Sequence, residues 1–105
     1  MSGSIQYAAM NIVFRVHIDD SSIGRERRFA RDEDVRYPAV PREGEYVVLP
    51  TNRPDVTLQA RQVTRVIYTP DGKVILEIRV DGLTNDVTSQ VETLRGAGYR
   101  ELNPS

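Results

Sequence analysis

The chain of 105 residues contains no cysteine and no tryptophan, one histidine (His17) and one lysine (Lys73). Without cysteine there is neither a disulfide staple nor a thiolate metal site, and one histidine cannot assemble a zinc ligand set. No apolar run approaches the roughly 20 residues a membrane helix needs. The opening MSGSIQYAAM has neither the basic start nor the apolar stretch of a secretory signal. These absences lead to the expectation of a cytoplasmic protein that does not engage a membrane. No Gly-rich phosphate loop or dinucleotide fingerprint occurs, so no cofactor is expected.

What is present suits a folded chain. Charged residues make up 28% and apolar residues 39%, and the length allows one core, hence a single domain over 1–105. Formal net charge is −1, too weak a field to attract nucleic acid by itself. Thirteen of the fourteen basic residues are Arg. Arg suits planar, bidentate recognition of phosphate or carboxylate, but a GC-rich coding sequence produces the same bias.

The most legible stretch runs from Leu58 to Gly82. Val74, Leu76, Ile78 and Val80 alternate with Lys73, Glu77, Arg79 and Asp81, and only Ile75 interrupts the polar face. That alternation is a half-buried strand. Thr69-Pro70-Asp71-Gly72 ahead of it supplies turn chemistry for a hairpin. In the partner strand Leu58 and Ala60 share one phase, Val63 takes the other, and Val66 and Tyr68 return to the first. The slip predicts a β-bulge or bend of the kind that curls a sheet, or else a strand buried on both faces near its middle.

Met10 to Ile18 alternates just as cleanly and predicts a first strand, preceded by a flexible leader over 1–9. Residues 19–44 read as a charged loop, with Arg25, Arg27, Arg28 and Arg31 followed at once by Asp32-Glu33-Asp34. A loop so long requires some element of its own, and a short strand or helical turn is expected around Arg27 to Ala30. Tyr46 to Leu49 reads as a short strand closed by Pro50. Thr84, Asn85 and Asp86 offer caps for a helix over 84–97, with Ser89 to Glu92 as a later capping box. Val87, Val91 and Leu94 form its apolar stripe, Gly96 and Gly98 its stop, and 98–105 a tail in which Tyr99 and Leu102 pack nearby.

The stretch Val40-Pro41 to Gly44-Glu45-Tyr46-Val47 resembles the run into a strand in small bacterial SH3-like barrels. That resemblance implies an architecture and no activity. The expected fold is therefore mainly β: an SH3-like open barrel of four or five antiparallel strands with one short C-terminal helix. The alternative is an α+β open antiparallel sheet with the helix on one face.

Candidate chemistry is sparse. His17 shares a strand face with Asp19, a pairing that can orient an imidazole as a general base, but no nucleophile accompanies it, and no enzyme is expected. Asp19 to Gly24 resembles the start of a calcium loop, yet Ile23 and Ala30 stand where ligands are needed. Two binding readings remain. Arg25, Arg27, Arg28 and Arg31 around Phe29, with Arg61, Arg65 and Arg79, could hold phosphates and stack a base. Ile75 and Val13 on otherwise polar faces, and the free edges of a small sheet, point instead to a protein partner or a homo-oligomer. The candidate contacts are thus Arg25, Arg27, Arg28, Phe29, Arg31, Arg65, Ile75 and Arg79, with protein binding favoured over nucleic acid.

Overall fold

The computed structural model describes residues 8–20, 23–55, 58–80 and 87–102. They form strands β1 (Ala8–Asp20), β2 (Arg25–Tyr37), β3 (Tyr46–Val48), β4 (Ala60–Tyr68) and β5 (Val74–Val80), helix α1 (Val87–Gly96) and strand β6 (Arg100–Glu101). The fold is mainly β: a six-stranded sheet in the order β3-β4-β5-β1-β2-β6, with one helix. The sheet is open, with β3 and β6 at opposite edges, and the expected curl stops short of a closed barrel. It is also mixed rather than antiparallel throughout, because β5 pairs parallel to β1 at its centre, from Ile12↔Val74 to Ile18↔Val80. Both strands present apolar rows to the same side, so joining them puts the greasiest pair in the middle of the core.

The β4–β5 hairpin forms as the turn residues require. Thr69 N–H donates to Lys73 O at 2.9 Å, Gly72 N–H donates to Thr69 O, and Gly72 takes φ +87°. The register steps from Val63↔Ile78 to Arg65↔Glu77, leaving Thr64 unpaired as a bulge. That extra residue lets Val63 and Val66 both face the core despite their odd spacing. The hydroxyl of Thr64 donates to Glu77 O at 3.0 Å and holds the bulge.

The largest departure from expectation is 19–44. In place of a charged loop with a short element, thirteen residues from Arg25 to Tyr37 pair along the whole of β1, from Ala8↔Tyr37 to Asp20↔Arg25. The leader is shorter than expected as well, since Ala8 and Ala9 already belong to β1; the rest of it, 1–7, lies outside the described residues. The tail contributes β6, which pairs Glu101 with Phe29 and Arg100 with Ala30.

The core lies on one face of the sheet. Ile12, Phe14, Val16 and Ile18 of β1 and Leu76 and Ile78 of β5 are fully buried there, together with Phe29 and Val63. Helix α1 docks Val91 and Leu94 on them, each burial worth about 1.5–3 kcal/mol, while Val87 packs at the margin. The caps expected at 84–86 lie outside the described residues. The far end of the helix closes as a Schellman turn: Tyr99 N–H donates to Leu94 O, Gly98 N–H to Arg95 O, and Gly98 adopts φ +97°. Gly96 is the last helical residue, and the reversal falls on Gly98 alone.

Candidate functional site

The face opposite the core is covered by no described element. Strand alternation places on it Asn11, Val13, Arg15, His17 and Asp19 of β1, Glu26, Arg28, Ala30, Asp32 and Asp34 of β2, and Ile75, Glu77 and Arg79 of β5. Facing pairs then form rows across the strands. One row is apolar, running Ile67, Ile75, Val13. Val13 is only 9% exposed, and Ile75 and Ile67 are half-buried. Ile75, expected as a contact residue, is therefore one member of a half-buried apolar row.

The next rows are ionic. Glu77, 8% exposed, receives the Arg65 Nε at 2.8 Å, the Arg15 Nη1 at 3.5 Å and the His17 Nε2 at 3.3 Å, the last an ion-pair distance without hydrogen-bond alignment. On its other side the His17 Nδ1 lies 2.5 Å from the Glu26 carboxylate. Arg79 bridges Glu26, at 3.1 Å, to Asp19, at 3.5 Å. His17 is thus clamped by Glu26 and Glu77, and Asp19, expected as its partner, is taken by Arg79. Among the described residues its contacts are carboxylates, and no hydroxyl bonds to it. The Asp-Glu-Asp run splits between faces: Asp32 faces Lys73 and Arg100, Asp34 accepts from Asn11, and Glu33 accepts from Arg31. Among the described residues no three acidic or imidazole groups converge as a metal site.

The Arg-rich segment is dismantled by its strand. Alternation sends Arg28 to the outer face and Arg27, Phe29 and Arg31 to the inner one. Arg27 donates twice to Glu101, at 2.8 and 2.7 Å, and lies 5.7 Å over the Phe29 ring, which is fully buried. Arg31 donates to Glu33, to Asn52 Oδ1 at 2.6 Å and to Ala97 O at 2.5 Å, tying β2 to the end of the helix. Phe29 therefore cannot stack a base, which corrects the reading from sequence. Arg25 remains exposed beside the β1–β2 turn and Arg28 half-buried. Arg61, expected on a polar hairpin face, instead lies on the inner side opposite Val47.

These pairs predict a fold that loses stability in acid. The hydrogen bond from His17 holds the Glu26 carboxyl below its usual 4.5, against burial and with further help from the charges of His17, Arg79 and Arg28. The hydrogen bond from Arg27 does the same for Glu101. A depressed carboxyl adds stability that is complete above its unfolded value of 4.5 and is lost as pH falls through the folded value. Urea midpoints are accordingly expected to hold above that pH and to fall below it. Glu101→Gln should flatten the fall and lower stability at neutral pH by about 1 kcal/mol; an unchanged profile would count against the Arg27 clasp.

At one side of the sheet the edge strand is β3; at the other, β6 covers β2 only at Phe29 and Ala30. Tyr46 is 68% and Val48 54% exposed, and both point to the uncovered side, while Val47 faces the core at 7%. Glu45 O accepts from Val63 N–H at 2.8 Å, so by alternation Val47 turns its backbone toward β4. The N–H and C=O groups of Tyr46 and Val48 then face outward. Beside them Tyr37 to Pro41 lines an open groove shared with β3. Neither residue stands out in the sequence as a contact; their exposure depends on β3 being an edge, which no local pattern reveals.

The chain matches no family model, no curated protein and no solved structure. Among the described residues no helix is long and apolar enough to cross a membrane.

Proposed function

We propose that the chain is a non-catalytic binding module that engages protein by strand addition at β3, with a second copy of itself as the partner. The observation that carries this reading is the pairing of two exposed apolar side chains with two outward-facing backbone units on a single edge strand. An antiparallel copy placed about a twofold at Val47 sets Tyr46 opposite Val48 of the other chain, twice. Aromatic and β-branched residues directly opposite are a favourable cross-strand pair, and a twofold makes the contact closed rather than filamentous. Pro50 and the three-residue length of β3 confine the pairing to this one match.

The nucleic-acid alternative is weaker on this reading. Arg27, Arg31, Arg65 and Arg79 spend their guanidiniums on Glu101, Glu33, Glu77, Glu26 and Asp19. A phosphate would have to displace a carboxylate at each. The resemblance of Val40–Val47 to SH3-like barrels plays no part in the proposal. The cytoplasm is the compartment that goes with it, since a cysteine-free domain gains nothing from an oxidising one.

Light scattering over a concentration series is the test. Wild type should shift from monomer to dimer mass, and Tyr46→Glu with Val48→Glu, which sets like charges opposite each other, should weaken association at least tenfold. A monomer mass at every concentration defeats the reading. Both residues are exposed, so the double variant should unfold within about 0.5–1 kcal/mol of wild type.

A further inference from the structure

A second feature, independent of the edge, lies between α1 and the sheet. Val16, Ile18, Leu49, Val80 and Leu94, all buried or nearly so, floor a cavity of about 370 Å³. That is at the lower end of the range of about 300–1,000 Å³ over which proteins bind small molecules. Leu58 adds to the apolar part, and the polar part of the lining comes from Gln59 just ahead of β4, Arg61 of β4, and Ser89, Gln90 and Thr93 of α1.

Two of these groups lack what their position demands. Arg61 is half-buried, and among the described residues its guanidinium makes no hydrogen bond or ion pair, in contrast to Arg27, Arg31, Arg65 and Arg79. The Gln90 Oε1 is buried and accepts no hydrogen bond. A buried acceptor without a donor is costly. Turning the Gln90 amide by half a turn about its last side-chain bond would present its NH₂ instead, a gain only if an acceptor is there. One unpaired guanidinium fork, one amide able to donate and an apolar floor together describe the complement of a carboxylate carried on a hydrocarbon tail.

We infer that the cavity between α1 and the sheet binds a small amphipathic monocarboxylate, its tail on Val16, Ile18, Leu49, Val80 and Leu94 and its carboxylate on Arg61 and Gln90. The tail supplies the larger share of the affinity by removing apolar surface from water, and Arg61 supplies the preference for an anion. A carboxylate fits one planar fork without leaving charge over, whereas a dianionic phosphate would need a second cation, and among the described lining residues Arg61 is the one cation.

Titration calorimetry with octanoate and with 1-octanol tests this, alongside amide NMR. Octanoate should bind saturably and shift the side-chain NH₂ resonances of Gln90. Arg61→Gln should weaken octanoate by about tenfold, the worth of one charged hydrogen bond, and leave octanol unchanged. Thr93→Trp, at an exposed helix position on the rim, should exclude both while the far-UV circular dichroism stays that of wild type. If that variant unfolds, the comparison of octanoate with octanol in Arg61→Gln still decides. No binding of octanoate, equal loss of both ligands in Arg61→Gln, or binding that leaves Gln90 unmoved would each overturn the inference.

Discussion

Phe29→Ala is expected to destabilise the fold by about 3–5 kcal/mol, the cost of deleting a large buried aromatic and leaving a cavity behind. The ring has no exposed surface, and it joins the core where β2 approaches the C-terminal segment. Its removal also takes away the face over which Arg27 lies. The value separates two accounts of the same segment. An aromatic held out for base stacking would be solvent-facing, and its alanine variant would keep nearly full stability while losing nucleic-acid affinity. Chemical denaturation followed by circular dichroism measures the difference. A loss below about 1 kcal/mol would place Phe29 outside the core.

Gly98→Ala should cost about 2–4 kcal/mol for two reasons that add. The residue sits at φ +97°, where an L side chain is strained. A Cβ there would also collide with the Asn52 amide and the Arg31 guanidinium. Moving these side chains aside disturbs bonds already made, because Arg31 Nη1 bonds to Asn52 Oδ1 and to Ala97 O. Yielding to a methyl group would break the clasp joining β2, the segment after β3 and the helix end. Gly72→Ala supplies the control: it shares the positive φ, and a Cβ there meets nothing. It should lose only the conformational part, about 1–2 kcal/mol. Equal losses at the two positions would show that the clasp contributes nothing.

The difference between what could and could not be read from the chain follows from where hydrophobic periodicity carries information. β1, β5 and the stripe Val87, Val91, Leu94 are legible because each faces the core along its whole length. The bulge at Thr64 is legible for the same reason: the phase of Val63 against Val66 must break if both are to be buried. β2 is not. Its inner face carries Arg27, Arg31 and Glu33 as well as Phe29, Val35 and Tyr37, since it lies at the margin of the core under a polar C-terminal segment. Its strand character comes from thirteen backbone pairings with β1 that leave no periodic trace. The parallel join of β1 and β5 is equally silent, because register between distant strands depends on topology.

The same reasoning explains the fate of the candidate contacts. Arg27, Arg31, Arg65 and Arg79 looked available because their partners Glu101, Asn52, Glu77 and Glu26 lie far away in sequence or on another strand. Ile75 interrupts a polar face in the sequence, and Ile67 and Val13 beside it make it one member of a half-buried apolar row. Tyr46 and Val48 at the β3 edge and Gln90 beside the cavity are inconspicuous in the chain for the opposite reason, and nothing in the sequence sets Arg61 apart from the paired arginines. Nothing local distinguishes an edge strand from an inner one.

Amide hydrogen exchange at Tyr46 and Val48, read as a function of protein concentration, tests the proposed edge pairing most directly. Their N–H groups face outward from β3, so in dilute solution they should exchange at rates near those of unstructured backbone, while Val47 stays protected by β4. Raising the concentration should slow Tyr46 and Val48 together, in step with the dimer fraction seen by light scattering, and leave Ile23 at the β1–β2 turn unchanged. Exchange at both amides that stays the same at every concentration would contradict strand addition at β3.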